Sequence, residues 1–277
     1  MTMLWKNILW IAGIYIVALL GIYFFQRSFL YFPPQGYVSV YAVGTGKSFT
    51  EMPVKTEDGL ELKGWYVPAT KKSLTLVFFH GSGDGLRTAS VITAPYIAAG
   101  YGFLLTEYRG YSGMPGSPSE EGLYTDARAY IKTLIASGVK EEDIVLFGHS
   151  LGTGVAVQMA SEFHVHGLIL LAPYMSIAKM AQIRFPIFPA EYLVKDRYES
   201  FKKIPNLHLP ILMANGGKDM IIPPSQGQQL FALANEPKQF LFVPEAGHVD
   251  LFDSNFVNVS LKWLEELPNA ATNLEKQ

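Results

Sequence analysis

Apolar and polar positions along this chain fall into three kinds of stretch. The first is one unbroken apolar run, Ile8 to Phe25, 18 residues without a charge between Lys6-Asn7 and Gln26-Arg27. As a helix it would be roughly 27 Å long, about the thickness of a bilayer core. Its apolar residues surround the helix rather than forming a stripe, and Trp5, Trp10, Tyr23, Phe24 and Phe25 stand at its ends, where membrane interfaces collect aromatic rings. Phe32-Pro33-Pro34-Gln35-Gly36 then breaks the pattern. The second kind is a pair of short runs, Met52–Thr56 and Leu60–Val67, around Glu57-Asp58-Gly59, which predicts a hairpin with Asp-Gly in the turn. The third is a series of short apolar runs at Leu74–Phe79, Phe103–Thr106, Asp143–Phe147, Gly167–Ala172, Ile211–Ala214 and Gln239–Val243. Helical patterns at about 88–99, 121–137, 224–235 and 252–266 separate them. Ser117, Pro118 and Glu120 read as N-cap, first helical residue and capping-box acid of the 121–137 helix. Strands apolar on both faces, alternating with helices, predict an α/β fold: a mainly parallel sheet covered on both sides.

The division that follows is an N-terminal anchor over 1–34 and one catalytic-sized domain over 35–277. An uncleaved single-pass membrane anchor is favoured over a signal peptide, because the run ends in Tyr23-Phe24-Phe25-Gln26-Arg27, with no small-residue cleavage site. A buried N-terminal helix is the third alternative. Lys6 lies on one side and Arg27 on the other, so charge does not set which side of the membrane the domain faces.

Composition adds exclusions. Of 277 residues 49% are hydrophobic and 17% charged, enough for a large core, and the net charge is −2. With a pI near 6.3 and no basic stripe, nucleic acid is excluded as a partner. The absence of cysteine removes disulfides, thiolate catalysis and cysteine zinc sites.

Ligand sites in such sheets lie at the carboxyl ends of the strands. Gly148-His149-Ser150-Leu151-Gly152 follows one strand and leads into the helical pattern from Thr153, so this G-x-S-x-G reads as a nucleophile elbow with Ser150 at its tip. Asp219 follows the Ile211–Ala214 strand and His248 follows Gln239–Val243. A serine hydroxyl is a poor nucleophile at neutral pH; an imidazole must take its proton, and a carboxylate must hold that imidazole in one tautomer. The order Ser150, Asp219, His248 is that of α/β-hydrolases. Oxyanion donors are expected from the backbone N–H groups of Leu151, in the elbow, and Ser82, in His80-Gly81-Ser82-Gly83. His80 is expected to brace that turn, Asp84 to point away from it, His149 to be a packing residue or pocket wall, and Arg109 to tie loops together through Glu107 or Asp126, with binding of a substrate carboxylate as its alternative. His164 and His166 read as surface or capping residues rather than a metal pair. This chemistry calls for no cofactor and no metal.

These elements together resemble the Bem46 / ABHD13-type α/β-hydrolases. The resemblance is carried by His80-Gly81-Ser82-Gly83, Tyr108-Arg109-Gly110-Tyr111-Ser112-Gly113, Pro118 to Ala127, the elbow, Asp219 with Ile222-Pro223, and Gly247-His248. It covers roughly residues 30–265. It implies an α/β-hydrolase fold, a Ser150–Asp219–His248 triad and hydrolysis of esters or thioesters, a related branch of the family removing acyl groups from S-acylated proteins. Glu107 stands where the family usually has Asp, and Ser82 where it usually has Asn. A small cap is expected over 173–210, with Ile183 to Ala190, Tyr192 and Leu193 suited to an acyl chain or to packing on the sheet. The expected function is therefore a serine hydrolase acting on lipid or acylated substrates, acylated proteins included, at a membrane. An acyltransferase or peptidase using the same triad, and a non-enzymatic binding module, are the alternatives.

Overall fold

The computed structural model describes residues 3–37, 49–253 and 255–267; the parts of the expected catalytic domain at 38–48 and 268–277 lie outside the described residues. Helix α1 (Met3–Phe25) has no buried residue and runs into a 3-10 turn, Gln26–Phe29. It is long and apolar enough to cross a membrane.

Eight strands form one sheet: β1 (Thr50–Lys55), β2 (Glu61–Val67), β3 (Thr75–Phe79), β4 (Gly102–Leu105), β5 (Ile144–His149), β6 (Gly167–Leu171), β7 (Ile211–Gly216) and β8 (Lys238–Val243). Their spatial order is β1-β2-β4-β3-β5-β6-β7-β8. The β1–β2 and β2–β4 pairs are antiparallel and all the others parallel. Burial explains the two sequence patterns. Edge strand β1 alternates exposed and covered positions, whereas every residue of β3, β4, β5, β6 and β7 is buried. Helices α2 (Leu86–Ala98) and α9 (Phe256–Glu266) cover one face, where Phe78, Phe147 and Leu212 meet Tyr96 and Trp263. On the other face α3 (Glu120–Ala136), α4 (Leu151–Glu162) and α8 (Pro224–Leu233) pack on Val77, Leu146 and Leu170.

Between β6 and β7 the chain builds a small helical cap from α5 (Ile177–Arg184), α6 (Ala190–Leu193) and α7 (Ser200–Lys203). Two local expectations shift. The N-cap of α3 is Ser119, whose hydroxyl accepts from Gly122 N–H, not Ser117. Glu120 does not close a capping box either, because its carboxylate accepts from Tyr124 Oη and from the backbone N–H of Arg197 in the cap. Contacts also cross the division drawn at residue 34. Arg27 pairs with the buried Asp196, Tyr31 Oη bonds Tyr198 Oη, and Pro34 C=O accepts from Ser112 N–H.

Candidate active site

Strand β5 ends at His149 and α4 begins at Leu151, so the direction reversal falls on one residue, Ser150. Ser150 sits at φ +51°, a region non-glycine residues rarely occupy, at a cost on the order of 1–3 kcal/mol. The flanking glycines make the turn possible. A Cβ on Gly148 would lie 2.5 Å from Gly152 C=O, and one on Gly152 would overlap the Phe79 carbonyl of β3. The turn is anchored from both sides: Ser150 N–H donates to Leu171 C=O of β6, and Thr153 Oγ1 donates back to Ser150 C=O.

The loops after β7 and β8 abut backbone to backbone, with Gly217 N–H donating to Val243 C=O and Lys218 N–H to Ala246 C=O. That contact brings Asp219 to His248. Asp219 Oδ2 lies 2.7 Å from His248 Nδ1, and His248 Nε2 lies 3.0 Å from Ser150 Oγ. The other oxygen of Asp219 accepts from Ile221 and Ile222 N–H, both at 2.8 Å, so the buried carboxylate is fixed in rotation as well as position. Asp250 accepts from Gly247 N–H and braces the His248 loop, a role no motif announced.

The structure thus brings Ser150, Asp219 and His248 into one hydrogen-bonded chain. Gly81 packs against Ser150, an added Cβ there lying 3.4 Å from the serine Cβ, which sets the Ser82 turn beside the nucleophile position. Among the described residues Ser82 N–H has no hydrogen-bond partner, and Leu151 N–H belongs to the free first turn of α4. Ser82 C=O, by contrast, accepts two bonds, from Phe32 N–H at 2.9 Å and Tyr111 Oη at 3.0 Å. The peptide segment behind the apolar helix is therefore part of the turn's support, which sequence reasoning missed.

His80 is fully buried beneath this turn. Its Nδ1 faces Gly81 C=O at 2.8 Å and its Nε2 faces Glu107 Oε1 at 2.8 Å. Both ring nitrogens face acceptors, an arrangement only the imidazolium satisfies. Burial pulls its pKa down, but the Glu107 carboxylate outweighs burial and holds it above the ordinary histidine value. Asp84 Oδ2 lies 3.4 Å from His149 Nδ1 and beside Gly81 of the turn, where an added Cβ would be 2.8 Å from it. Despite burial, hydrogen bonding and charge from His149 hold the Asp84 carboxyl down at about 2. The buried His149 ring packs 5.1 Å from the Phe252 ring and 5.3 Å from the His248 ring.

Arg109 lies apart from Ser150 and forks between Asp126 of α3 and Asp58 of the β1–β2 turn. Asp126 was expected from sequence; Asp58 read only as a turn residue. The Arg109 fork holds the Asp58 carboxyl at about 2. His166 Nδ1 sits against Glu142 C=O and His164 N–H donates to Glu141, both remote from these loops.

Known proteins resemble most of this chain. A model of the alpha/beta hydrolase family matches residues 76–201, from β3 into α7. The uncharacterized protein Rv2307c of Mycobacterium tuberculosis is 38% identical over 233 residues, covering 81% of each chain. The uncharacterized protein YfhR of Salmonella typhimurium is 27% identical over 270 residues, 88% of this chain and 92% of its own. Among solved structures the Pyrococcus furiosus esterase Pf2001 shares the fold, with a TM-score of 0.69 at 17% identity over 86% of this chain and 98% of that one. A sheet of this order, the family model over its centre and a relative 38% identical across 81% of both chains agree: this chain belongs to the alpha/beta hydrolase family.

Proposed function

We propose that this protein is a serine hydrolase that cleaves carboxylic esters or thioesters through an acyl-enzyme. One observation carries the reading: the unbroken chain from Ser150 Oγ through His248 to Asp219, at 3.0 and 2.7 Å, on a serine held at positive φ. Ser150 Oγ attacks the carbonyl carbon while His248 Nε2 takes its proton. Asp219 keeps the other ring nitrogen protonated and stabilises the imidazolium. The carbonyl oxygen, now an oxyanion, accepts from Ser82 and Leu151 N–H; each such donor is worth about 3–4 kcal/mol in the transition state. The intermediate collapses as His248 hands its proton to the leaving alcohol or thiol. Water then attacks the acyl-serine, giving its proton to His248, and collapse returns that proton to Ser150 and releases the acid.

The apolar helix ahead of the domain supports a further part of the reading, that 1–34 acts as a membrane anchor for the domain at 35–277 and that the substrates are lipids or acylated molecules. The motifs from Tyr108 to Asp126, with Arg109 and Asp126 bonded to each other, favour the Bem46 / ABHD13-type branch of the family. The esterase Pf2001, named for ester cleavage, is consistent with the chemistry. A fluorophosphonate probe labels the wild-type protein and not Ser150→Ala. Equal labelling of both, or no turnover of a broad ester and thioester panel by the folded protein, overturns the proposal.

A further inference from the structure

A cavity of about 500 Å³ lies between the end of α1 and the cap. That is within the roughly 300–1,000 Å³ typical of small-molecule pockets. Leu19 and Ile22 of α1, Leu30 behind it, Met180 of α5, and Met220 and Ile221 after β7 line it. Among the described residues that line it, only Gln26, Arg27, Arg184 and Asp196 bring a charge or an amide, and Arg27 and Asp196 are spent on each other.

Two parts of this lining connect along the chain to the groups proposed for catalysis. Met220 and Ile221 follow Asp219 directly, and Ile221 N–H is bonded to the carboxylate that orients His248. On the other side Leu30 leads through Tyr31 to Phe32, whose N–H holds Ser82 C=O. The groove's Ile221 end is thus one hydrogen bond from the carboxylate proposed to orient His248. The lining at that end is an exposed apolar rim: Met220 is 92% exposed and Ile221 61%. An exposed apolar rim of this kind marks a surface that meets something apolar. Here it adjoins α1, which is uncharged and apolar on all sides from Ile8 to Phe25 and has no buried residue.

We infer that this groove holds the acyl chain of a membrane lipid, which enters sideways from the bilayer between α1 and the cap and presents its ester carbonyl to Ser150. The inference rests on the hydrolase reading and on α1 lying in the membrane. The helix is then a wall of the binding site as well as a tether. The cap's apolar residues contact substrate from one side only, and chain length is read by how far the groove is filled.

The test uses the full chain in phosphatidylcholine vesicles containing a phosphatidylcholine with a diazirine in its acyl chain. Ser150→Ala protein is irradiated, so that occupancy is read without turnover, and adducts are mapped by mass spectrometry. Adducts are expected over Leu19–Leu30, Ile177–Leu193 and at Met220 or Ile221. Met180→Trp and Leu30→Trp, which fill the groove from two separate segments of its lining, each cut them about fivefold or more. Adducts confined to the first turns of α1, or unchanged by both variants, overturn the inference. So does displacement of the lipid by a palmitoylated peptide at equal concentration, which would assign the groove to acylated protein instead. On Ser150-intact protein, kcat/KM should rise roughly two- to fourfold per methylene through the middle of an ester series. The long-chain to short-chain ratio should collapse in Met180→Trp. A flat series with normal fluorophosphonate labelling removes the groove proposal and leaves the hydrolase reading intact; mapped adducts without labelling do the reverse.

Discussion

Replacing Glu107 should unseat the turn that carries Ser82. The carboxylate is fully buried and accepts from three donors: His80 Nε2 at 2.8 Å, Tyr108 N–H at 3.2 Å and Leu86 N–H at 3.2 Å. Glu107→Ala strips the imidazolium of its counter-charge and leaves two backbone donors without their acceptor. Breaking one side of a buried ion pair costs about 3–5 kcal/mol. That is a large share of the roughly 5–15 kcal/mol that holds a domain folded. Glu107→Gln keeps a carbonyl acceptor but not the charge, and should cost about 1–2 kcal/mol. The pH dependence separates charge from shape. His80 has a folded pKa raised above its unfolded value of about 6.5, so its contribution is complete below that pH and fades as pH rises through the folded value. Urea unfolding of the full chain in detergent, followed by tryptophan fluorescence from pH 5.5 to 9, should show stability falling with pH more steeply in wild type than in either variant. A Glu107→Ala cost below about 1 kcal/mol, or identical slopes in all three proteins, would refute the imidazolium–carboxylate account.

Three further outcomes are expected. Asp219→Asn should lower kcat by about ten-thousand-fold, because an amide can present its N–H to Nδ1 and favour the wrong tautomer; near-normal ester turnover would remove Asp219 from the mechanism. Gly152→Ala, whose methyl would overlap the Phe79 carbonyl, should cost about 1–3 kcal/mol or more, and a thermal melt within a degree or two of wild type would contradict the close approach of elbow and β3. Asp196→Ala leaves Arg27 and Glu120 N–H without their acceptor and should cost about 1–3 kcal/mol. It should also speed protease cleavage between residues 26 and 37, and an unchanged cleavage rate would argue against the docked N-terminal segment.

How much was legible in the sequence follows from where the information lies. The strands declared themselves because central parallel strands are apolar on both faces, and the elbow because steric demand writes Gly148 and Gly152 into five consecutive residues. Asp219 and His248 could be found because each stands just past a strand end. Relations between distant loops left no such trace. Asp58 looked like a turn residue because Asp-Gly suits a turn, yet its carboxylate also meets Arg109, 51 positions away. Ser117 and Ser119 both offer a capping hydroxyl, and the choice was made by Glu120 being drawn to the cap. The bond from Phe32 to Ser82 runs through backbone atoms, on which side-chain patterns carry no information.

The arrangement of strands also grades the molecule by local stability. Ser150 rises from β5 in the middle of the sheet, whereas His248 follows β8, the last strand, bonded on one side only. Segments at such a rim open in sub-global fluctuations that leave the centre folded. The proposed base is thus mounted on a unit that detaches before the nucleophile's does. Mild heat or denaturant would separate His248 from Ser150 while the elbow, the central strands and α4 remain in place, and the protein would switch off reversibly well short of unfolding.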